Sequence, residues 1–313
     1  MSREGLDKMI YQRTLKNPVS ATGVGLHSGE KISISLRPAL ADTGIVFRRT
    51  DIGDGVSPTP ILASVENVCD TRLATSLACG KARIATVEHL MAAFAGLGID
   101  NAVVEVNGCE LPIMDGSAAP FVYLILSAGI DELPAAKKFI RILRDISVKD
   151  RDASVCLSPF DGFRLEYTLE YDHPVFLKHA RSSILDFSSK SFVRDVARAR
   201  TFGFLADFER LRSMDLARGG SLDNTVVMDD FRILNQDGLR LDDEFVKHKM
   251  LDAIGDLYLL GHSIIGRFSG YKSGHSSNYQ LMLQVMLQTE AWEFVTFTEA
   301  DSAPVSFPRP VFA

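Results

Sequence analysis

The run 245–257, Phe-Val-Lys-His-Lys-Met-Leu-Asp-Ala-Ile-Gly-Asp-Leu, constrains the fold more than any other stretch of this chain. On a helix, residues four apart lie one turn apart on the same face. His248, Asp252 and Asp256 then form one stripe, while Phe245, Met250, Leu251, Ile254 and Leu257 cover another. An imidazole and a carboxylate spaced in this way can close on one divalent ion, but the fold must bring a third ligand from elsewhere. Thr86-Val87-Glu88-His89-Leu90 supplies a candidate in His89. Two histidines and one aspartate with a fourth place left for water is the arrangement that catalytic zinc uses. The same donor set also suits Fe(II). The alternative is a solvated charged face on which Lys247 and Lys249 pair the acids.

The chain has 313 residues and is 46% apolar, enough for a large buried core in one large domain or two smaller ones. Its net charge is −6 and no basic block stands out, so nucleic acid is not an expected partner. Charges recur through the first ten residues, which excludes a secretory signal. The apolar run 257–265 is too short to span a bilayer and carries His262. A cytoplasmic protein without stable membrane insertion is expected. Cys69, Cys79, Cys109 and Cys156 are far apart with no Cys-x-x-Cys pair, so they read as reduced thiols.

Clean alternation in Lys31–Pro38 predicts a half-buried strand. Segments 14–21, 45–49, 101–106, 139–148, 163–171 and 263–268 read as further strands, and 86–97, 117–128, 243–260 and 277–292 as helices. Glycines 23, 25 and 29 mark turns. Residues 133–138 look like a linker, dividing the chain into 1–134 and 135–313. The stretch 198–230, Gly-rich at Gly219-Gly220, reads as an irregular insertion, and the tail after Glu299, with three prolines, as a loosely packed extension.

A weak echo links the halves. His89 and His248 each stand seven residues before a glycine, Gly96 and Gly255, and each opens a helix followed by a strand. This predicts an α+β fold of two similar domains, each offering a helix N-terminal region to a shared cleft.

Glu88 beside His89 suits metal-assisted hydrolysis, because a carboxylate can take a proton from activated water. The spacing is not His-Glu-x-x-His, so the usual zinc-peptidase helix is excluded. A surface glutamate next to a capping or core histidine is the plainer reading. His275, in the Gly/Ser-rich stretch 270–278, is expected to be exposed and mobile, either protonating a leaving amine or merely facing solvent. His27, His173, His179 and His262 have no comparable setting and read as structural or surface residues.

Several of these stretches together resemble the UDP-3-O-acyl-N-acetylglucosamine deacetylase family. They are Arg13-Thr14-Leu15, the turn 23–29, Thr86-Val87-Glu88-His89-Leu90, Ala199-Arg200-Thr201-Phe202-Gly203-Phe204, the run 248–256 and Lys272-Ser273-Gly274-His275. The likeness spans about 12–288, with the motifs in order and spacing. It implies a zinc amidase of lipid A synthesis that removes acetate from the 2-amino group of a UDP-glucosamine carrying a 3-O-linked hydroxyacyl chain. It also implies two α+β domains, each a sheet with a pair of helices, the helices sandwiched between the sheets and each domain carrying an insert.

Carried over by residue, the resemblance makes His89, His248 and Asp252 the zinc ligands and Glu88 the base. His275 becomes the acid or the cation that steadies the oxyanion, oriented by Asp256. Thr201 becomes an oxyanion donor, and Lys249 sits toward the sugar nucleotide. Phe202 lies against the substrate. The insert near 201–227, with Gly219 and Gly220, lines an apolar passage for the acyl chain. The partner implied is an acylated UDP-sugar, met by a monomer that touches the membrane surface only transiently.

Overall fold

Alternation in Lys31–Pro38 buries Ile32, Ile34 and Leu36 and leaves Lys31 and Ser33 in solvent. In the computed structural model, which describes residues 9–52, 59–299 and 302–307, this strand lies in a five-stranded sheet. The order is Val19–Val24, Lys31–Pro38, Ala102–Val106, Ile45–Arg49, Ile61–Leu62. Ile45–Arg49 runs parallel to Ala102–Val106, and the connection between them carries helix α1, Glu88–Leu97. The sheet of the second half is centred on Ser263–Tyr271, which pairs with Phe139–Ile142 and Phe163–Thr168 in parallel and with Ala153–Ser158 antiparallel.

Helices α2 (Ala119–Ala128), α3 (Leu205–Ser213), α4 (Glu244–Leu257) and α5 (His275–Leu287) follow in chain order. α1 packs against α2 and α4, and α4 against α5. α2 covers Val19–Val24 while α5 covers Ile146–Asp150 and Ala153–Ser158, so the helices lie between the two main sheets. α1 is apolar nearly all round and is buried along its whole length, as such a helix must be. It ends at Gly98, whose φ of 68° is the left-handed cap that glycine adopts without strain.

The two glycines of the sequence echo are sites of close approach. A Cβ at Gly255 would lie 2.0 Å from the carbonyl oxygen of Glu88, and one at Gly96 would lie 2.1 Å from the Phe192 ring. α1 and α4 therefore touch backbone to backbone at the level of Glu88.

Several expectations are corrected. The linker reading of 133–138 fails: Ile130–Ala136 is a strand paired with Tyr11–Leu15, and Lys137 is fully buried, donating to Asp100 Oδ1 (2.5 Å) and the Gly98 carbonyl (3.2 Å). The strand expected over 139–148 breaks into Phe139–Ile142 and Ile146–Asp150. The insertion is not irregular throughout, since Phe202–Phe204 and Val226–Met228 pair in parallel around α3. Ala153–Ser158 and a three-stranded sheet of Val68–Asp70, Ser76–Cys79 and Ala82–Ile84 had no clear signal in the sequence. The tail is not loose over 302–307. Val305 is in the core, and Phe307 sits against Gly98 with its ring 4.8 Å from Lys137 Nζ. All four cysteines are free. Among the described residues no helix is long and apolar enough to cross a membrane.

Candidate active site

Contact between α1 and α4 brings His89 from one helix to His248 and Asp252 on the other. Asp252 Oδ1 lies 3.3 Å from His248 Nε2 and 3.6 Å from His89 Nε2, and one ligand atom from each residue lies within 4.8 Å of the others. All three residues are buried. Asp252 Oδ1 has no hydrogen-bond partner among the described residues. A buried carboxylate oxygen left bare is costly, and a cation between it and the two imidazoles removes that cost. His248 donates Nδ1–H to the Ala199 carbonyl at 3.0 Å, which leaves the Nε2 lone pair facing inward, the tautomer a ligating histidine needs. Burial pushes the His248 imidazole down to about 4, so it is neutral at pH 7. Burial alone would raise Asp252, but His248 and Lys249 outweigh it and hold the carboxyl well below its ordinary value. The donor set fits a divalent metal ion.

Lys249 donates from Nζ to Asp252 Oδ2 at 2.6 Å. Burial opposes its charge, yet the attraction of Asp252 wins and raises the ammonium above its usual value. The acid–lysine pairing of a solvated face thus exists, with Lys247 also 3.6 Å from Asp243, but the stripe itself is buried.

Glu88 opens α1 and is 3% exposed, so the surface reading of it fails. Its Oε2 accepts the Thr75 backbone N–H at 3.0 Å, and burial raises its pKa against the pull of His275 and His89. Nor does His275 lie in a mobile loop. It is the first residue of α5, and its side chain is only 11% exposed. Its Nδ1 is 2.8 Å from Asp256 Oδ2, and its Nε2 faces Glu88 Oε1 at 3.9 Å and Asp252 Oδ2 at 4.0 Å. Burial lowers the imidazole, but Asp256 outweighs it and lifts His275 to about 9. An imidazole held cationic and a buried carboxyl group thus border one space. Asp256 is held in turn by Thr75 Oγ1 (2.6 Å) and Asn278 Nδ2 (2.8 Å).

Glu88, His89, His248, Lys249, Asp252 and His275 line a cavity of about 370 Å³ that also has Thr201 and Phe202 in its wall. Thr201 is fixed through its backbone, donating to the Gly116 carbonyl and accepting from Val226 N–H, both at 2.8 Å. Phe202 packs edge-on to His248, with centroids 6.2 Å apart. Next to them, Arg200 forms a buried pair with Glu244 at the start of α4, Nε to Oε1 at 2.8 Å and Nη2 to Oε2 at 3.1 Å. Ala199, through His248 Nδ1, and Arg200, through Glu244, thus tie the insert to the helix that carries His248.

A second cavity of about 730 Å³ shares Arg72, Leu73 and Ala74 with the first and includes Leu211, Met214 and Leu216 of the insert. His27 is in its wall, with neither ring nitrogen hydrogen-bonded among the described residues, so it is placed closer to the site than the sequence indicated. Gly219 and Gly220 are placed otherwise. A Cβ at Gly219 would lie 2.2 Å from the Gly25 carbonyl oxygen, and one at Gly220 would lie 2.3 Å from the Phe208 ring. They let the insert pack tightly against its neighbours.

Sequence reasoning missed Thr75, Asn278, Glu244 and Arg200 as supports. Asn278 stands three residues after His275 and Glu244 four before His248, so helical spacing carried a signal for both. For Thr75, which reaches across 181 and 200 residues, there was none.

Residues 12–287 match the model of the family described as LpxC, UDP-3-O-acyl N-acetylglycosamine deacetylase. The chain is 58% identical over 305 residues to the UDP-3-O-acyl-N-acetylglucosamine deacetylase of Hahella chejuensis, covering 97% of this chain and 100% of that protein. It is 57% identical over 305 residues to the one from Marinobacter nauticus (97% and 99%) and 58% over 306 residues to the one from Thioalkalivibrio sulfidiphilus (97% and 100%).

Proposed function

The chain belongs to the UDP-3-O-acyl N-acetylglycosamine deacetylase family, and from that membership we propose that its site hydrolyses the acetamide of a UDP-3-O-acyl-N-acetylglucosamine, releasing acetate in lipid A synthesis. The observation that carries this reading is Asp252 Oδ1, buried and bare between two imidazole Nε2 atoms.

His89, His248 and Asp252 would hold the metal ion. Zinc is proposed over iron(II), because amide hydrolysis needs no redox change and zinc has none to offer. When bound, it would supply Lewis acidity, polarising a carbonyl and bringing the pKa of a water near 7. Glu88 takes a proton from the attacking water, and its burial makes it a better base than an exposed carboxylate. Asp256 holds His275 as the imidazolium, whose Nε2–H is given to the departing amine nitrogen so that the C–N bond can break. The Thr201 hydroxyl donates to the developing oxyanion, a contact worth on the order of 3 kcal/mol. Lys249 holds Asp252 and faces the sugar nucleotide, while Phe202 lies against the substrate.

The acyl chain enters the larger cavity along Leu211, Met214 and Leu216. Gly219 and Gly220 serve it indirectly, by letting the insert that forms this wall pack closely. The domain division is proposed near 134/135, inside the strand that joins the halves. The protein is proposed to act as a cytoplasmic monomer, meeting the membrane surface only transiently.

The test is acetate release from UDP-3-O-acyl-N-acetylglucosamine with a chelator and with zinc restored. Loss on chelation and return with zinc is expected. Turnover by a metal-free protein would overturn the reading.

A further inference from the structure

We propose that Thr75 is a positioning residue that sets the proton donor of this site. It lies between Val68–Asp70 and Ser76–Cys79, on the α1 side of the cleft, and is 2% exposed. Its main chain is tied to α1, because the carbonyl accepts Val87 N–H at 3.2 Å and the N–H is given to Glu88 Oε2 at 3.0 Å. Its hydroxyl points the other way, to residues of the second half.

The one hydroxyl proton is donated to Asp256 Oδ1 at 2.6 Å. With that proton spent, the oxygen meets His275 Nδ1, 3.2 Å away, as an acceptor. Nδ1–H therefore points at two acceptors, Asp256 Oδ2 and Thr75 Oγ1. Asn278 Nδ2 fills the remaining place on Oδ2. The imidazole is thereby fixed with Nδ1 protonated and Nε2 turned to the cavity beside Glu88. One residue touches the base through its backbone and the acid through its side chain. The side chain can be changed without removing the backbone contact, which separates the two roles.

Thr75→Val keeps the shape and deletes the hydroxyl, whereas Thr75→Ser keeps the hydroxyl. Thr75→Val is expected to lower kcat by roughly 10- to 100-fold, the size that accompanies loss of one hydrogen bond to a charged group. KM and zinc content should stay at their original values, the thermal midpoint should fall because Asp256 Oδ1 loses its donor, and Thr75→Ser should restore most of the rate and of the midpoint. In a His275→Ala background the valine change should cost less than about threefold, because residues acting through one group are not additive.

The proposal is overturned by an equal fold-loss in both backgrounds, by a serine variant as impaired as the valine one, or by a loss that falls on KM or zinc content. It rests on the role of His275 proposed above. Full turnover by His275→Ala alone would sink that role, whereas equal losses in the two backgrounds with His275→Ala impaired sink only the role of Thr75.

Discussion

Gly255 and Glu88 face each other so closely that a methyl on the glycine would lie 2.0 Å from the glutamate carbonyl oxygen and 3.1 Å from Ala92 N. Both are helical, Glu88 at the start of α1 and Gly255 near the end of α4. The contact sets how far His89 stands from His248 and Asp252. A small residue in the helix interior thus fixes the span of the candidate metal site.

Gly255→Ala should therefore weaken both fold and metal binding. By helix propensity alone alanine would stabilise α4 by about 1 kcal/mol. The steric clash is with backbone, which cannot rotate away, so a net loss of about 1–3 kcal/mol is expected. Zinc affinity should fall roughly 10- to 100-fold, as when ligands lose their orientation. Denaturant unfolding and competition with a metal chelator check the two effects. A more stable variant with unchanged zinc affinity would remove the contact from the account.

Glu88 and His89 are adjacent, and their substitutions should separate cleanly. His89→Ala removes one of the three candidate ligands, and the protein should be isolated without stoichiometric metal. Glu88→Ala keeps the ligand set and should retain zinc while losing turnover by roughly 10²- to 10⁴-fold, the scale of a general base. Metal analysis beside acetate release decides it. A metal-replete, fully active His89→Ala protein is the result that would refute the ligand assignment.

The pair His275–Asp256 predicts the alkaline side of the pH profile. His275 must keep its proton to act as acid, so activity falls as pH rises through its pKa, which stands at about 9 because Asp256 outweighs burial. A bound dication repels the imidazolium and moves this limb lower, without changing the sign of the Asp256 effect. Asp256→Asn should shift the limb toward acid. The stability linkage has the matching sign. A folded pKa above the unfolded value near 6.5 stabilises below about pH 6.5, and the gain is lost as pH rises toward 9. The metal-free protein and its Asp256→Asn variant should differ more in thermal midpoint at pH 6 than at pH 10. An unmoved alkaline limb would speak against the assignment.

How much of this was legible in the sequence depended on range. Helical spacing places His248, Asp252 and Asp256 on one face, and that stripe is observed. The echo between Gly96 and Gly255 was visible as a repeat, but only the packed helices show what each glycine meets. His275 was misread as mobile because Gly274 and the serines suggest a loop, and nothing local announces that Asp256 will anchor it as the start of a helix. Lys137 was misread for a related reason. A lysine following Pro134-Ala135-Ala136 looks solvated until Asp100, far away in sequence, supplies its countercharge. Thr75 lay beyond reach because both of its side-chain partners come from the other half of the chain.

The larger cavity predicts that burial of the acyl chain raises kcat/KM. Leu211, Met214 and Leu216 come from the insert, and the shared rim Arg72, Leu73 and Ala74 leads from them to the candidate metal ligands. Each methylene buried there is worth about 0.8 kcal/mol, so even four of them exceed 3 kcal/mol, or roughly 100-fold in kcat/KM. A UDP-N-acetylglucosamine without the chain should lose at least that factor. Replacing Leu211 and Leu216 by asparagine should reduce kcat/KM for the acylated substrate and leave the poor rate on the chain-free substrate unchanged, because that molecule never reaches the altered wall. Similar losses on both substrates would mean that the insert supports the fold of the site instead of holding the chain.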